Sequence, residues 1–505
     1  MNKRTAIIDI GSNSARIVIF EESSDYGFHL ICEQKSKVRI GEGAYAKKGY
    51  LQPHAIKRAF LTLKSFICII EKYQVNSTIC VATSALRDAP NAPIFTAWIK
   101  DSLGLEIKII DGKKEAEYGA IAVSNLLPIQ NAITIDIGGG SSDISCIQNG
   151  KIKDSYSLNI GTVRIKELFF DQALDSSYHD AKIYIQKALK QLPSHFRNTL
   201  AVGIGGTART LSKAIMKRSK YPLDKLHAFS YNIKDNQDYL NAIPLSSLKG
   251  LKVFGLKKNR YDTIREGTLI FNEILSHIEA KEVMSSSVGV REGVFLDTFL
   301  AKNKHQFPKT QNPSIVSLID RFKPVVTIEK KRKFKLKMAS TLYRVFQDKI
   351  QDQMQYHYEL EQALKLTSIG KTLTIYKTHQ HAFYIAMQEL NYGFTHKQIV
   401  LISLLLRMHS KELLQKELYQ KYQSLLPKKK HIKWLSFIYT LTVFLHEASN
   451  TANIHFSFAH NILTIYADRP LYLAKENIAS LETPENFSIQ IEDEQALPKN
   501  PLLAI

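Results

Sequence analysis

The sequence predicts an α/β fold of two related lobes, followed by a helical domain and a small α/β domain. The prediction rests first on a phrase that occurs twice, at residues 7–14 and 135–143. In both copies an apolar, strand-like run ends in Asp, Gly and small polar residues follow, and a second strand-like run begins. A third Gly-rich phrase, residues 202–209, lies between a strand-like run and a helical run. Strands and helices that alternate after each copy are typical of a duplicated α/β unit.

The first lobe is predicted at residues 1–128 and begins with hairpin-like alternation over residues 3–32. Apolar residues at helical spacing then predict a helix at 53–73. Further runs predict strands at 77–82 and 105–110, and helices at 93–103 and from Lys113 onward. The same order restarts at Ala132, so the second lobe is predicted at residues 129–303.

The C-terminal part of the chain has a different pattern. Residues 304–313 are polar and contain two prolines, which is typical of a linker. Residues 314–449 have helical periodicity almost throughout and include a strongly basic stretch at 321–337. Residues 450–505 are predicted to form a small α/β domain, with a strand at 454–466, a helix at 474–481 and a strand at 487–492.

The composition favours a protein that binds polyanions. The 505 residues carry a formal net charge of +21, and such an excess favours phosphate-rich partners. The N-terminal apolar run stops at Asp9, and no apolar run is long enough to span a bilayer. The four cysteines are scattered without a C-x-x-C pair, as in a reducing compartment. We therefore expect a cytoplasmic protein without a membrane partner and without a specific nucleic-acid partner.

The Gly-rich phrases are candidate phosphate-binding turns, because Gly amides approach anions closely and small polar side chains add donors. A P-loop requires Gly-Lys-Ser/Thr, which is absent from the sequence. A dinucleotide loop continues into a helix, whereas both Asp-Gly phrases continue into a strand-like run. Paired turns of this kind resemble those of the actin, Hsp70 and sugar-kinase superfamily. The predicted phosphate-binding residues are Gly11, Ser12, Asn13, Ser14, Gly138, Gly139, Gly140, Ser141, Ser142, Gly205, Gly206 and Thr207.

Short motifs along the first 300 residues make the resemblance more specific. They occur in the order of one family at residues 9–14, 83–87, 112–116, 136–143, 205–207 and 291–293. The chain resembles the exopolyphosphatase/guanosine pentaphosphate phosphohydrolase family. The resemblance implies a phosphoanhydride hydrolase that removes the terminal phosphate of inorganic polyphosphate, of guanosine pentaphosphate (pppGpp), or of both. It also implies guanosine tetraphosphate (ppGpp) as a ligand and a homodimer.

The resemblance assigns the general base to Glu115, which matches the second Glu of the family's Gly-x-Glu-Glu-Ala motif. Hydrolysis of a phosphoanhydride needs a base that orients and deprotonates the attacking water. The first Glu of the motif is replaced here by Lys114, whose ammonium group is expected to lower the pKa of Glu115. Arg87 matches an Arg that reaches the terminal phosphate, a suitable task for a planar guanidinium group.

The same resemblance assigns the metal ligands to Asp136 and Asp143, with Asp9 supporting the metal through water. Mg²⁺ prefers a few carboxylates, several waters and the substrate's own phosphate oxygens. The family usually has Glu where this chain has Asp143, so the carboxylate is one methylene shorter. A contact through water and a changed preference, for example for Mn²⁺, are both compatible with this difference.

The helical region resembles the HD-type domain of the longer family members, but it lacks their metal-binding pair. Residues 366–370 read Leu-Thr-Ser-Ile-Gly where a metal site would show His-Asp or His-Glu. His381, Tyr384 and His409 match other positions of that domain. We therefore expect a structural role for the domain, as a wall of the polyanion groove or as a dimer contact.

Two other classes of function remain open at this point. One is an ATP-dependent kinase of the same superfamily, which the Gly-x-x-Glu-Ala context of Glu115 disfavours. The other is a non-catalytic regulator that binds ppGpp or pppGpp. The replacement at Lys114 and the shortened Asp143 keep this second alternative open.

Overall fold

The computed structural model describes residues 2–44, 47–172, 177–322, 329–350, 355–408, 416–448 and 453–493. The chain divides into two compact units. One unit comprises Met1–Pro313 and Tyr392–Thr395, and the other comprises Ser314–Asn391 and His396–Ile505. The finer division into the four predicted domains stays a prediction.

The N-terminal lobe contains a five-stranded sheet in the order β3-β2-β1-β4-β5. The first three strands form an antiparallel meander, and β4 and β5 continue the sheet in parallel. The strands are β1 Arg4–Ile10, β2 Ala15–Glu22, β3 Phe28–Ser36, β4 Ser77–Ala82 and β5 Ile107–Ile109. The helices are α1 Pro53–Lys72, α2 Ser84–Arg87 and α3 Ala92–Leu103. The segment 83–88, predicted as a loop, therefore contains the short helix α2.

The second lobe repeats this arrangement in a six-stranded sheet ordered β10-β11-β9-β6-β7-β8. Its strands are β6 Ala132–Ile137, β7 Ser142–Gln148, β8 Lys151–Leu158, β9 Leu200–Ile204, β10 Ser230–Asn232 and β11 Glu282–Ser285. Helix α4 Gly112–Leu126 lies between β5 and β6 in the chain, and the helices that follow β6 are α5 Thr162–Leu168, α6 Ser177–Leu189, α7 Gly205–Arg218, α8 Gln237–Leu245, α9 Ile264–His277 and α10 Val290–Phe299. An antiparallel meander followed by parallel strands occurs in both lobes, which confirms the predicted duplicated, actin-like fold.

The central strand β1 is buried on both faces, as its continuous apolar run predicts. On one face Ile8 and Ile10 pack in a cluster with residues of α1 and α3. On the other face Ile7 belongs to a cluster with Tyr118 of α4 and Phe295 of α10. Asp9, at the end of this buried strand, is therefore held on a rigid scaffold.

Helices α4 and α10 pack closely against each other. A Cβ atom added to Gly293 would overlap the backbone of Tyr118, including its carbonyl oxygen. The Gly of the Arg-Glu-Gly motif at 291–293 is therefore required by this close approach. Because Glu115 lies in the first turn of α4, the contact helps to fix the position of that residue.

The second unit consists mainly of helices and ends in a three-stranded sheet. Its helices are α11 Pro313–Arg321, α12 Glu329–Val345, α13 Gln347–Ile350, α14 His357–Leu366, α15 Thr378–Glu389, α16 His396–Arg407, α17 Lys416–Tyr422, α18 Lys429–Ala448 and α19 Tyr472–Ile478. Its strands are β12 Ile454–Ala459, β13 Ile462–Ala467 and β14 Ser488–Asp493. Phe346, Trp434 and Phe487 form an aromatic core beneath the sheet. Within the described ranges, no helix is both long and apolar enough to cross a membrane.

The C-terminal segment departs from the prediction at one point. The single strand predicted at 454–466 is a hairpin, in which β12 and β13 pair antiparallel. The two residues between them, His460 and Asn461, have φ angles of 51° and 60°. Two consecutive residues in this left-handed conformation form a two-residue hairpin turn.

His409 and residues 323–328 of the basic stretch lie outside the described residues.

Candidate active site

The two Asp-Gly turns have the same backbone geometry and lie against each other between the lobes. The amide of Gly11 donates to the Ser14 carbonyl at 3.1 Å, and that of Gly138 donates to the Ser141 carbonyl at 2.9 Å. A Cβ atom added to Gly139 would lie 3.3 Å from the Cβ atom of Ser12. The turns therefore approach closely enough to contact one ligand from both sides.

The turns line a cavity of about 230 Å³ between the two lobes. Most of the predicted site residues lie on its wall. These residues are Asp9, Gly11, Ser12, Asn13, Ser14, Glu115, Asp136, Gly138, Gly139, Ser141, Gly206 and Thr207. The predicted residues Arg87, Gly140, Ser142, Asp143 and Gly205 are not among the residues that line it.

Three of these five residues have other contacts that explain their positions. Ser142 is fully buried, and its hydroxyl donates to the carbonyl of Ile160. The carbonyl of Gly140 accepts a hydrogen bond from Arg164 Nε at 2.9 Å. Gly205 has a φ angle of 76°, and a Cβ atom there would overlap the carboxylate of Asp136. These residues shape the backbone around the cavity, and the one side chain among them, that of Ser142, is turned to the Ile160 carbonyl.

Glu115 and Arg87 form an ion pair at the first turn of α4. Arg87 Nη1 donates to Glu115 Oε2 at 3.2 Å and to the Ile110 carbonyl at 3.0 Å. Asp111 caps the helix by accepting a hydrogen bond from the Lys114 amide at 2.7 Å. Burial, together with the neighbouring charge of Asp143, raises the pKa of Glu115 well above its usual range, although Arg87 opposes this shift.

The predicted effect of Lys114 on Glu115 is wrong. The Lys114 ammonium group lies 3.5 Å from Glu117 Oε2 and 4.7 Å from the centre of the Tyr118 ring. Lys114 and Glu115 are adjacent on the helix, so their side chains point in different directions. The pKa of Glu115 is raised, and Lys114 does not contribute to the shift.

The predicted metal ligands Asp136 and Asp143 lie opposite each other on the antiparallel strands β6 and β7. Two like charges in such a pair repel each other unless a cation lies between them. Asp143 Oδ1 is buried and has no hydrogen-bond partner among the described residues. Burial raises the pKa of Asp143 to about 7, a shift that a hydrogen bond from Ser157 reduces and the charge of Asp136 increases.

The first turn has a different pair at the equivalent positions. There Asp9 of β1 lies opposite Arg16 of β2. Burial raises the pKa of Asp9, while Arg291 and Arg16 act to lower it.

Over the described residues, no group of three or more His, Cys, Asp or Glu side chains is arranged to hold a metal ion. A divalent ion here would therefore rest on the Asp136–Asp143 pair, with water and substrate oxygens completing its coordination.

The sequence reasoning missed a group of cationic side chains on the cavity wall. This cationic group consists of Arg16, Lys35, Arg209, Arg260 and Arg291. Burial and the charges of Arg16, Arg260 and Arg209 lower the pKa of Lys35 to about 8. Positive charges that are held together in one cavity favour a negatively charged ligand. The sequence indicated the proximity of these side chains only weakly. Their proximity depends on strand register, as in the pairing of Arg16 with Lys35.

The start of helix α7 lies within this cationic group. A Cβ atom added to Gly206 would lie 2.8 Å from Arg260 Nη2, so the guanidinium group rests on the Gly-Gly turn. Thr207 Oγ1 is buried and has no hydrogen-bond partner among the described residues. The N-terminus of a helix also favours negative charge. The second lobe thus adds a helix N-terminus and a guanidinium group to the cavity wall.

Comparison with known proteins identifies the family. Residues 18–302 match the Ppx/GppA phosphatase family, and residues 313–504 match domain III of the same phosphatases. The chain belongs to the Ppx/GppA phosphatase family. This assignment confirms the family that the sequence motifs predicted, and with it the predicted class of enzyme, a phosphoanhydride hydrolase.

The chain covers different shares of the length of two curated relatives. A bifunctional 3-dehydroquinate synthase/phosphatase of Fusobacterium nucleatum is 32% identical over 287 residues, which are 54% of this chain and 43% of that protein. The chain thus spans less than half the length of this relative. A guanosine-5'-triphosphate,3'-diphosphate pyrophosphatase of Photobacterium profundum is 26% identical over 415 residues, 81% of this chain and 80% of that protein.

Two solved structures each match about 60% of the chain. The crystal structure of the Aquifex aeolicus Ppx/GppA family member is 27% identical, with a TM-score of 0.52, and covers 60% of this chain and 99% of that one. An exopolyphosphatase from Cytophaga hutchinsonii is 23% identical, with a TM-score of 0.53, and covers 59% of this chain and 98% of that one. The second likeness shows the fold alone.

Proposed function

We propose that this phosphatase removes the terminal phosphate of inorganic polyphosphate, of pppGpp, or of both, with Glu115 as the general base. The observation that carries the proposal is the half-buried Glu115–Arg87 ion pair, in which Glu115 lies on the wall of a cavity lined by the two Gly-rich turns. The name of the Photobacterium relative, a guanosine-5'-triphosphate,3'-diphosphate pyrophosphatase, agrees with pppGpp as a substrate.

Glu115 takes the proton of the attacking water. A carboxylate whose pKa is raised is a stronger base than an ordinary Glu, which suits it to this task. Arg87 holds the Glu115 carboxylate in place. When substrate binds, the Arg87 guanidinium group donates hydrogen bonds to the terminal phosphate. Attack then breaks the bond between that phosphorus and its bridging oxygen, and the shortened phosphate chain leaves.

The turns and the cationic group bind the rest of the phosphate chain. Backbone amides of the turns and the hydroxyl groups of Ser12, Ser14 and Ser141 are donors on the cavity wall. The excess of positive charge contributed by Arg16, Lys35 and Arg260 offsets the charge of a ligand with several phosphates.

The Asp136–Asp143 pair fits a divalent cation, Mg²⁺ or Mn²⁺. The half-buried Asp136 and the buried Asp143 lie opposite each other, and one oxygen of Asp143 has no partner among the described residues. Asp9 is near enough to support the ion through water, since its charge acts on Asp136. When bound, the ion neutralises charge that develops on the transferred phosphoryl group.

Phosphate release from polyphosphate and from pppGpp, with wild type beside Glu115→Gln, tests the proposal. We expect the variant to lose about 10²- to 10⁴-fold in kcat, the usual contribution of a general base. Glu106→Gln, an exposed Glu ahead of β5, is the matched control and should retain full activity. Full activity of Glu115→Gln would contradict the assignment of the base.

The regulator alternative remains distinguishable by the same assay. If neither substrate is hydrolysed while ppGpp binds tightly, the chain is a non-catalytic regulator. Transfer of phosphate from ATP to an acceptor, in place of transfer to water, would indicate the kinase alternative.

We further propose that the enzyme works in the cytoplasm as a homodimer. Sedimentation of the purified protein tests the oligomeric state, and microscopy of a fluorescent fusion tests the location.

A further inference from the structure

Two rows of polar side chains cross the sheet of the second lobe on the face that packs against α4. The first row consists of neighbours on β6, β7 and β8, namely Asp136, Asp143 and Ser157. The second row lies two residues away on each strand and consists of Thr134, Ser145 and Ser155. Because side chains alternate between the faces of a sheet with a period of two, both rows lie on one face. We call the second one the hydroxyl row.

The hydroxyl row is buried inside the lobe. Thr134, Ser145 and Ser155 are 2%, 0% and 4% exposed. Strands that are buried on both faces are usually apolar throughout, since a buried hydroxyl group without a partner costs free energy. The hydroxyl groups of this row therefore need specific hydrogen-bond partners.

Ser145, in the middle of the row, connects the sheet to α4. Its Oγ donates to the Ala116 carbonyl of α4 at 3.1 Å and lies 2.8 Å from Ser155 Oγ. A serine hydroxyl has one proton, and Ser145 gives it to Ala116, so Ser155 is the donor to Ser145. The Ser145 amide also donates to Thr134 Oγ1 at 3.2 Å. A hydrogen bond is directional, whereas apolar packing is not, so this bond fixes where α4 lies along the sheet.

A second contact holds the beginning of α4. A Cβ atom added to Gly112 would lie 2.4 Å from both Cβ and Oγ of Ser157. The Ser157 side chain therefore fills that space, and Gly112 allows α4 to begin directly against β8. Gly112 and Ala116 are four residues apart, so they lie on the same face of the helix. Glu115 lies between these two contacts, in the first turn of α4.

Strand β7 links the general base to the proposed metal ligands. Asp143 and Ser145 are two residues apart on β7, which is about 7 Å along the strand. Asp143 lies opposite Asp136, while Ser145 binds the residue that follows Glu115. One strand thus carries a proposed metal ligand and also the hydrogen bond that holds the turn with the base.

We propose that Ser145 is a positioning residue for the general base. Its bond to Ala116 fixes the place of Glu115, and hence of the attacking water, relative to the proposed metal ligands. This inference rests on the proposed function, because it concerns the residue that orients the proposed base. Ser145 is not among the residues that line the cavity, so it acts on the reaction only through α4.

The test is Ser145→Ala, which removes the hydroxyl group and keeps the Cβ atom. We expect kcat for the substrate that the wild type hydrolyses to fall on the order of tenfold, because a small displacement of a catalytic group is costly. KM, and the Mg²⁺ affinity of the ligand-free protein, should stay within about twofold, since the lost interaction concerns the transition state. Ser155→Ala leaves the bond between Ser145 and Ala116 in place and should lower kcat by less than about threefold.

The matched control removes a similar hydrogen bond from the other compact unit. Thr440 is fully buried on α18, and its Oγ1 donates to the Met408 carbonyl at 3.1 Å, the same distance as for Ser145. Thr440→Val keeps the shape of the side chain and removes the hydroxyl group. Both variants should lower the denaturation midpoint, but only Ser145→Ala should lower kcat. If Thr440→Val lowers kcat as much, a general loss of stability explains the effect and the proposal is wrong. A rise in KM at unchanged kcat would contradict it as well.

Hydrogen-exchange mass spectrometry separates this proposal from the proposed function. If the wild type releases no phosphate from polyphosphate or pppGpp, the proposed function fails, but the hold of Ser145 on α4 can still be measured. We expect faster exchange over residues 112–120 in Ser145→Ala than in the wild type or in Thr440→Val. Unchanged exchange in this segment would overturn the inference, whether or not the wild type is active.

Discussion

Replacing Gly293 by Ala should disturb the active site through the contact between α10 and α4. The added Cβ atom would overlap the Tyr118 backbone, far inside the roughly 3.3 Å at which carbon and oxygen normally make contact. Since a backbone atom cannot rotate away, the two helices must part by on the order of 1 Å. Overpacking of this kind lowers the free energy of unfolding by about 1–3 kcal/mol. The higher helix propensity of Ala offsets up to about 1 kcal/mol of this loss.

The displacement should also affect catalysis, because Glu115 lies in the first turn of α4. A shift of about 1 Å in a catalytic group reduces the rate by roughly 10²-fold. We therefore expect Gly293→Ala to lower both the denaturation midpoint and kcat, with faster hydrogen exchange in α4 and α10. Denaturant titration, phosphate-release kinetics and hydrogen-exchange mass spectrometry measure the three effects.

A matched Gly on α4 provides the control. A Cβ atom at Gly119 would lie 3.4 Å from the end of the Ile204 side chain, an ordinary contact. Gly119→Ala should therefore be neutral or slightly stabilising, since Ala favours a helix over Gly. If Gly293→Ala keeps the stability and kcat of wild type, the helices have room to adjust and the reasoning is refuted.

Further predictions concern charge in the cavity and the metal. The pKa of Lys35 is about 8, so the amine loses its charge as pH rises through that value. Affinity for ppGpp should therefore fall between about pH 7 and pH 9, and Lys35→Met should flatten this part of the profile. If the two proteins show the same pH profile by calorimetry, Lys35 does not face the ligand. Asp143→Asn should weaken Mg²⁺ binding by at least about tenfold, because a neutral amide oxygen is a poorer ligand. It should also stabilise the metal-free protein at neutral pH, since one of two opposed carboxylates loses its charge. A variant that binds Mg²⁺ as tightly as wild type would remove Asp143 from the metal site. Chelation of divalent ions should abolish phosphate release, and Mg²⁺ or Mn²⁺ should restore it. Release that persists after chelation would contradict the metal proposal.

The fold could be predicted because its signals are local. The continuous apolar run of β1 indicates a strand buried on both faces, and helical spacing predicted α1 nearly to the residue. The hairpin at 454–466 was missed because His460 and Asn461 are a less obvious turn pair than Asn-Gly. The error thus came from turn chemistry and not from the periodicity of the flanking strands.

The site could be predicted only in part because its remaining residues depend on register and tertiary packing. The turns and Glu115 lie in contiguous motifs, which a sequence displays directly. The cationic group draws on separate elements, and Arg260 reaches the cavity from a segment without a recognisable motif. The raised pKa of Glu115 likewise depends on burial and on Asp143, which no neighbouring residue in the sequence indicates. The side-chain direction of Lys114 was misjudged for the same reason.

We propose that a difference at one position gives the two copies of the turn different functions. In each copy the Asp lies opposite the residue seven positions later, which is Arg16 in the first and Asp143 in the second. Opposite charges form a neutral pair in the first copy, while like charges in the second need a cation. Arg16→Ala should therefore weaken ppGpp binding and leave Mg²⁺ affinity of the ligand-free protein nearly unchanged, whereas Asp143→Asn should do the reverse. Calorimetric titration of both variants with each ligand measures this. If either substitution weakens both ligands equally, the turns act as one site and the division between an anion-binding copy and a cation-binding copy is wrong.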